Sequence, residues 1–238
     1  MQIFKGPQKN ESISIELANK SIGRLLVAIS WDMRELEKIK LPKPEQAHVK
    51  TALSWVEDCI HLFRTTRYLK RPVNEYDDID ERNIEFEQFD LDLHCYIFDA
   101  ENNIVDDVEA DFSKLHDESK TVYHSGDDFT GLGAGDDEQV YIHTTQIPDE
   151  YHHFIFVVKS DCAFSLDEIE NPVIRIADSQ TNENFLEIGM EAPANLNAPA
   201  FIAAVFSRHD NAWSLKTIGE YSDFDISENT FREILSKV

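Results

Sequence analysis

The chain has 238 residues, 42% of them hydrophobic, with 15 Phe, 7 Tyr and 3 Trp. That is enough apolar material for one large domain with a packed core, and it excludes general disorder. Its 46 acidic residues against 22 basic ones give a formal net charge of −24, which argues against nucleic acid or an anionic membrane as partner and leaves a solvated acidic surface, a basic partner or bound cations.

In chain order, the N-terminal MQIFKGPQKNESISIEL has no apolar core of the kind a secretory signal needs. Ile13 and Ile15 alternate with polar neighbours, and RLLVAIS (24–30) forms a short apolar run ending at Trp31-Asp32. Residues 34–88 break the strand pattern. After Pro44, the residues Val49, Ala52, Leu53, Val56, Ile60 and Phe63 fall on one helical face, and the helix should stop before Pro72. A basic stretch, TTRYLKR (65–71), follows that face, to dock on the protein's own acidic loop or on an acidic partner. The segment 34–88 is therefore read as a helical insertion between two strands.

Strand patterns then resume at DLDLHCYIF (90–98), QVYIHT (139–144), FIFVVKS (154–160), PVIRIAD (172–178), FIAAVFS (201–207) and WSLKTIGEY (213–221), separated by turn signals such as IPDE and DSQTNEN. The tail 222–238 carries a capping signal at Ser227 and is expected to close with a short helix. The pattern predicts a mainly β protein: a single domain over 1–238, built as an antiparallel β-sandwich with a helical insertion and a short C-terminal helix. Cys59, Cys95 and Cys162 are sparse and form no CxxC pair, which suits a reducing compartment. Apolar runs such as LLVAI and FIAAVF are far shorter than a membrane span. A soluble cytoplasmic protein without direct membrane insertion is expected.

The acidic charge is concentrated. Between Asp90 and Glu138 there are 15 acidic residues and two lysines. Within that window GDDFTGLGAGDDE (126–138) holds five acidic residues and half of the eight glycines. A phosphate loop is excluded, because no Lys-Ser/Thr follows and Asp136, Asp137 and Glu138 would repel phosphate. An EF-hand is excluded, because Phe129, Gly131 and Leu132 occupy ligand and turn positions. A hard cation suits the loop, since glycines expose backbone carbonyls and aspartates supply charge. Asp90 and Asp92, at i and i+2, share one face of a strand, and Asp32 follows another strand. Three segments could converge on one ion, the alternative being a solvated acidic hairpin. His94, His116, His124 and His143 lie near these segments, but an oxygen-rich setting favours calcium over zinc. No G-x-S-x-G elbow is present, and no catalytic residue is assigned.

Trp31-Asp32 after an apolar strand, DLDLHCYIFD, HSGDDFTGLGAGDDE and the later strands together resemble the TerD family of tellurium-resistance and stress proteins, over roughly residues 10–33 and 89–221. The resemblance implies a calcium-binding β-sandwich holding one or two ions. It places ligands at Asp32, Asp90, Asp92, Asp127, Asp128, Asp136, Asp137 and Glu138. Leu132 and Ala134 stand where the family often has Glu and Asp, so two potential oxygen ligands of the family's pattern are lacking. The resemblance also implies a non-enzymatic role in stress response, linked to tellurite or toxic-agent resistance, with other stress-response proteins as partners. Two alternatives use the same residues: a metal-dependent hydrolase, and an acidic interaction scaffold with incidental metal.

Overall fold

The computed structural model describes residues 14–16, 22–32, 34–35, 86–87, 89–131, 135–160, 166, 169–192, 198–209, 212–222 and 226–238. Two antiparallel sheets face one another. The first has six strands: β1 (Ser14–Glu16), β5 (Leu91–Phe98), β6 (Ile104–Val108), β9 (His153–Ser160), β12 (Ala200–His209) and β13 (Ala212–Ser222), in the order β1-β13-β12-β9-β5-β6. The second has five: β2 (Leu25–Asp32), β7 (Val122–His124), β8 (Glu138–Ile142), β10 (Glu170–Asp178) and β11 (Asn184–Gly189), in the order β11-β10-β2-β8-β7. The sandwich expected from the alternating patterns is therefore present.

The core between the sheets takes every second residue of the central strands. Leu25, Val27 and Ile29 of β2 meet Leu91, Leu93 and Cys95 of β5, and Phe154, Phe156 and Val158 of β9 complete the layer. On β9 the intervening Ile155 and Val157 are also buried. A strand that is apolar on both faces needs cover on its outer side, and the C-terminal helix α1 (Glu228–Leu235) supplies it. Phe231, Ile234 and Leu235 pack on Phe98, Ile155, Val157, Ile202 and Val205, with Phe231 meeting Tyr96 and Phe98 at ring distances of 4.8 and 5.4 Å. Fully burying such side chains is worth roughly 1.5–3 kcal/mol each before the entropic cost of ordering the helix. Ser227 caps α1 as the sequence indicates, its Oγ accepting from the Thr230 N–H at 3.2 Å.

Within the two large sheets, three strands were not legible in the sequence. In β6, IVDDV, adjacent aspartates break the alternation, and its position at a sheet edge tolerates them. The strand β7 is three residues long, and β11 is the return arm of a hairpin after the DSQTNEN turn. The expected helix and basic stretch of 34–88 lie outside the described residues. The two ends of that segment are described and form strands: β3 (Arg34–Glu35) pairs with β4 (Phe86–Glu87), bringing Arg34 opposite Glu87. The insertion thus leaves and returns on one short ribbon just beyond Asp32. Among the described residues no helix is long and apolar enough to cross a membrane.

Candidate metal centre

The acidic loop joins β7 to β8 and lies where the two sheets approach each other. The last pairing of β6 sets Val108 opposite Cys95, so β6 ends before the start of β5. The edge of β5 around Asp92 and Leu93 is thereby open to the loop. Glu138, the first residue of β8, fills that gap: its Oε2 accepts from the Leu93 N–H at 2.8 Å and its Oε1 from the Asp128 N–H at 3.2 Å. The Glu138 side chain is fully buried and stitches the two sheets and the loop together. His124, also fully buried, sets Nε2 3.4 Å from Glu138 Oε2. Its Nδ1 accepts from the Gly126 N–H at 3.0 Å, so in the neutral ring Nε2 carries the proton.

This arrangement brings Asp90, Asp92 and Asp127 together, each with a carboxylate oxygen within 4.8 Å of the other two. Asp90 is buried, Asp92 half-buried and Asp127 exposed. At that separation each pair of bare carboxylates costs from about 1 kcal/mol in a water-like dielectric to roughly 3–4 kcal/mol near an effective dielectric of 20.

The other five expected ligands are held differently. Asp128 Oδ1 accepts from Thr130 N at 2.8 Å, Thr130 Oγ1 at 2.7 Å and Gly131 N at 3.3 Å, folding the start of the loop into a tight turn. Asp136 forms a two-pronged pair with Arg175 of β10, at 2.7 and 2.6 Å. Asp137 Oδ2 accepts from the Trp31 N–H at 2.9 Å. Burial pushes the Asp137 carboxyl above its ordinary value against the Trp31 bond, and the charges of Asp128, Asp136 and Asp32 add to the rise. Asp32 Oδ2 accepts from Asn171 Nδ2 at 2.7 Å.

Trp31 organises the centre from below. Its indole N–H donates to the Phe89 carbonyl at 2.8 Å, fixing the residue before Asp90. Gly131 has φ +57 and lies so close that a Cβ would fall 2.6 Å from Trp31 Nε1. Glycine is required there on both counts. In the sequence Trp31 stands out as the end of an apolar strand, whereas Arg175 is not singled out; its one signal is a basic side chain inside the run PVIRIAD.

The histidines do not gather at the three carboxylates. His94 stacks on Tyr96 at 6.0 Å and sets Nδ1 3.0 Å from Glu109 Oε2. Burial holds its pKa below the ordinary imidazole value. His116 and His143 flank Tyr123 at ring distances of 6.2 and 5.9 Å. The donors that do converge are all carboxylate oxygens, which fit a hard cation such as calcium better than zinc. Leu132 and Ala134 lie outside the described residues.

Comparison with known proteins agrees with this architecture. A family model described as the TerD domain matches residues 7–228. General stress protein 16U of Bacillus subtilis is 29% identical over 136 residues, covering 55% of this chain and 70% of that protein. Tellurium resistance protein TerZ of Serratia marcescens is 25% identical over 152 residues, covering 64% and 76%. The crystal structure of a Streptomyces coelicolor homologue of the telluride resistance protein TerD superposes with a TM-score of 0.55 at 17% identity, covering 87% of this chain and 94% of that one. That likeness bears on the fold alone. With the family model spanning nearly the whole sequence, the sandwich and its acidic loop belong to a member of the TerD-domain family.

Proposed function

We propose that this chain is a non-enzymatic, cytoplasmic stress-response protein that binds calcium at Asp90, Asp92 and Asp127. The convergence of those three carboxylates carries the reading. Two come from the entry to β5 and one from a loop 35 residues later, so the fold brings like charges together from separate segments. A divalent cation would supply the charge that turns their repulsion into attraction. Asp128 and Glu138 hold Asp127 in place, and Trp31 holds the segment leading to Asp90. The names of the relatives, stress and tellurium resistance proteins, support a role in resistance to tellurite or other toxic agents; that its partners are other stress-response proteins is part of the same proposal.

The test is calorimetric titration of the chelator-stripped protein. Calcium should give saturable heat, and magnesium little at equal concentration, because magnesium dehydrates reluctantly and demands near-octahedral geometry. Asp92→Ala should remove the heat. At free calcium one hundred times Kd the fold should gain about 2.7 kcal/mol by mass action. An absence of calcium heat from the folded wild-type protein would refute the reading.

A further inference from the structure

The five acidic residues of loop 126–138 divide into two groups. Asp127 and Asp128 precede Gly131, and Asp127 belongs to the converging carboxylates. Asp136, Asp137 and Glu138 follow Gly135, and each of these is already held by donors from the protein. Glu138 receives two backbone N–H groups, Asp137 receives Trp31 N–H, and Asp136 receives a guanidinium.

The guanidinium is the decisive feature. Arg175 Nε donates to Asp136 Oδ1 at 2.7 Å and Nη2 to Oδ2 at 2.6 Å. Gln139 Nε2 adds a third donor to Oδ2 at 3.2 Å. Arg175 Nη1 is fixed from behind by Asn182 Oδ1 at 3.0 Å and Asn184 Oδ1 at 2.9 Å. The strand register explains the reach: Arg175 of β10 lies opposite Ala28 of β2, and Ala28 lies opposite Gln139 of β8. A small residue in the middle of that row lets the arginine cross β2 to the far strand. Both side chains are mostly shielded, at 19% and 13% exposure, so the pair is not a loose surface contact. A guanidinium keeps its charge at any working pH, and its fork matches a carboxylate.

We propose that Arg175 acts as a built-in cation for the second half of the acidic loop, so that the loop serves one metal ion rather than two. This rests on the cation reading of Asp90, Asp92 and Asp127. A divalent ion at Asp136 would have to share that carboxylate with the guanidinium and stand beside its positive charge. The second half of the loop is accordingly in place before metal arrives. Its Asp137 N–H donates to the Ile29 carbonyl at 2.8 Å, and the Gln139 N–H to Ser125 Oγ at 3.0 Å. Arg175 is a positioning residue in this scheme: it touches no metal and fixes which carboxylates remain available to one.

Calcium titration and peptide-level hydrogen exchange on the full chain test the proposal. The stripped wild-type protein should show one calcium site, abolished in Asp127→Asn. Asp136→Asn should keep one site with Kd within about threefold. Arg175→Gln should gain a second, weaker site that is lost again when combined with Asp136→Asn. In chelator, amides 137 and 139 should stay protected in the wild type and lose protection in Arg175→Gln. Two wild-type sites, one of them lost in Asp136→Asn, would overturn the proposal while leaving the calcium reading intact. So would amides 137 and 139 that become protected only on adding calcium, and so would an Arg175→Gln protein that folds and still binds a single ion. Absence of any calcium heat in the wild type would overturn both readings.

Discussion

Glu138→Ala removes the carboxylate that joins the acidic loop to β5. Two N–H groups lose their acceptor: Leu93, at 2.8 Å in the buried edge of β5, and Asp128, at 3.2 Å in the loop. Hydrogen bonds to a charged group are worth about 1.5–3 kcal/mol each, and a donor left unpaired in the interior costs about 1–3 kcal/mol. Against that stands the relief of no longer burying a charge. The Leu93 bond, enclosed on all sides, should count nearly in full; the Asp128 bond, longer and nearer solvent, at the low end. The net loss should be about 2–4 kcal/mol, which for a domain of this size lowers Tm by very roughly 4–16 °C. Urea unfolding in chelator, followed by Trp fluorescence, measures it without any contribution from metal. Glu138→Gln keeps one acceptor and should lose about half as much. A loss below about 1 kcal/mol for Glu138→Ala would refute the claim that this side chain holds the two sheets and the loop together.

Three further outcomes follow from other contacts. Gly131→Ala forces a Cβ into the left-handed region and against the Trp31 indole; it should cost about 2 kcal/mol or more and weaken calcium binding, both read by thermal melts with and without the ion. Ser227→Ala deletes the cap of α1 and should cost about 1 kcal/mol in urea unfolding, with no change in calcium affinity. Burial, reinforced by His152 and His209, lowers the His153 pKa from the ordinary 6.5 to about 4. The unfolded chain then binds a proton at a pH where the folded one does not, so stability is fully present above pH 6.5 and is lost as pH falls from there toward 4. Because His153 is partly exposed, solvent screening reduces the effect; its signature is a smaller drop in urea midpoint between pH 7 and pH 5 in His153→Gln than in the wild type.

Alternation of apolar residues was sufficient to reveal most strands, because a half-buried strand must place one apolar side chain in every two toward the core. Residue type marked Ser227 as a helix start, since capping is a local interaction within three residues. Local pattern failed at β6, β7 and β11, whose short length or edge position relaxes the alternation that makes a strand visible.

The acidic loop could be recognised from its glycines and aspartates, and the partnership of Asp90 and Asp92 follows from strand periodicity alone. What the chain could not reveal locally is how eight carboxylates divide their work. Asp127 joins Asp90 and Asp92 because β6 stops short and leaves the edge of β5 to the loop. Asp136, just before β8, is taken by Arg175 of β10 because only β2 lies between those strands and its residue opposite Arg175 is alanine. Such choices depend on sheet order and register between residues far apart in sequence, and composition fixes neither.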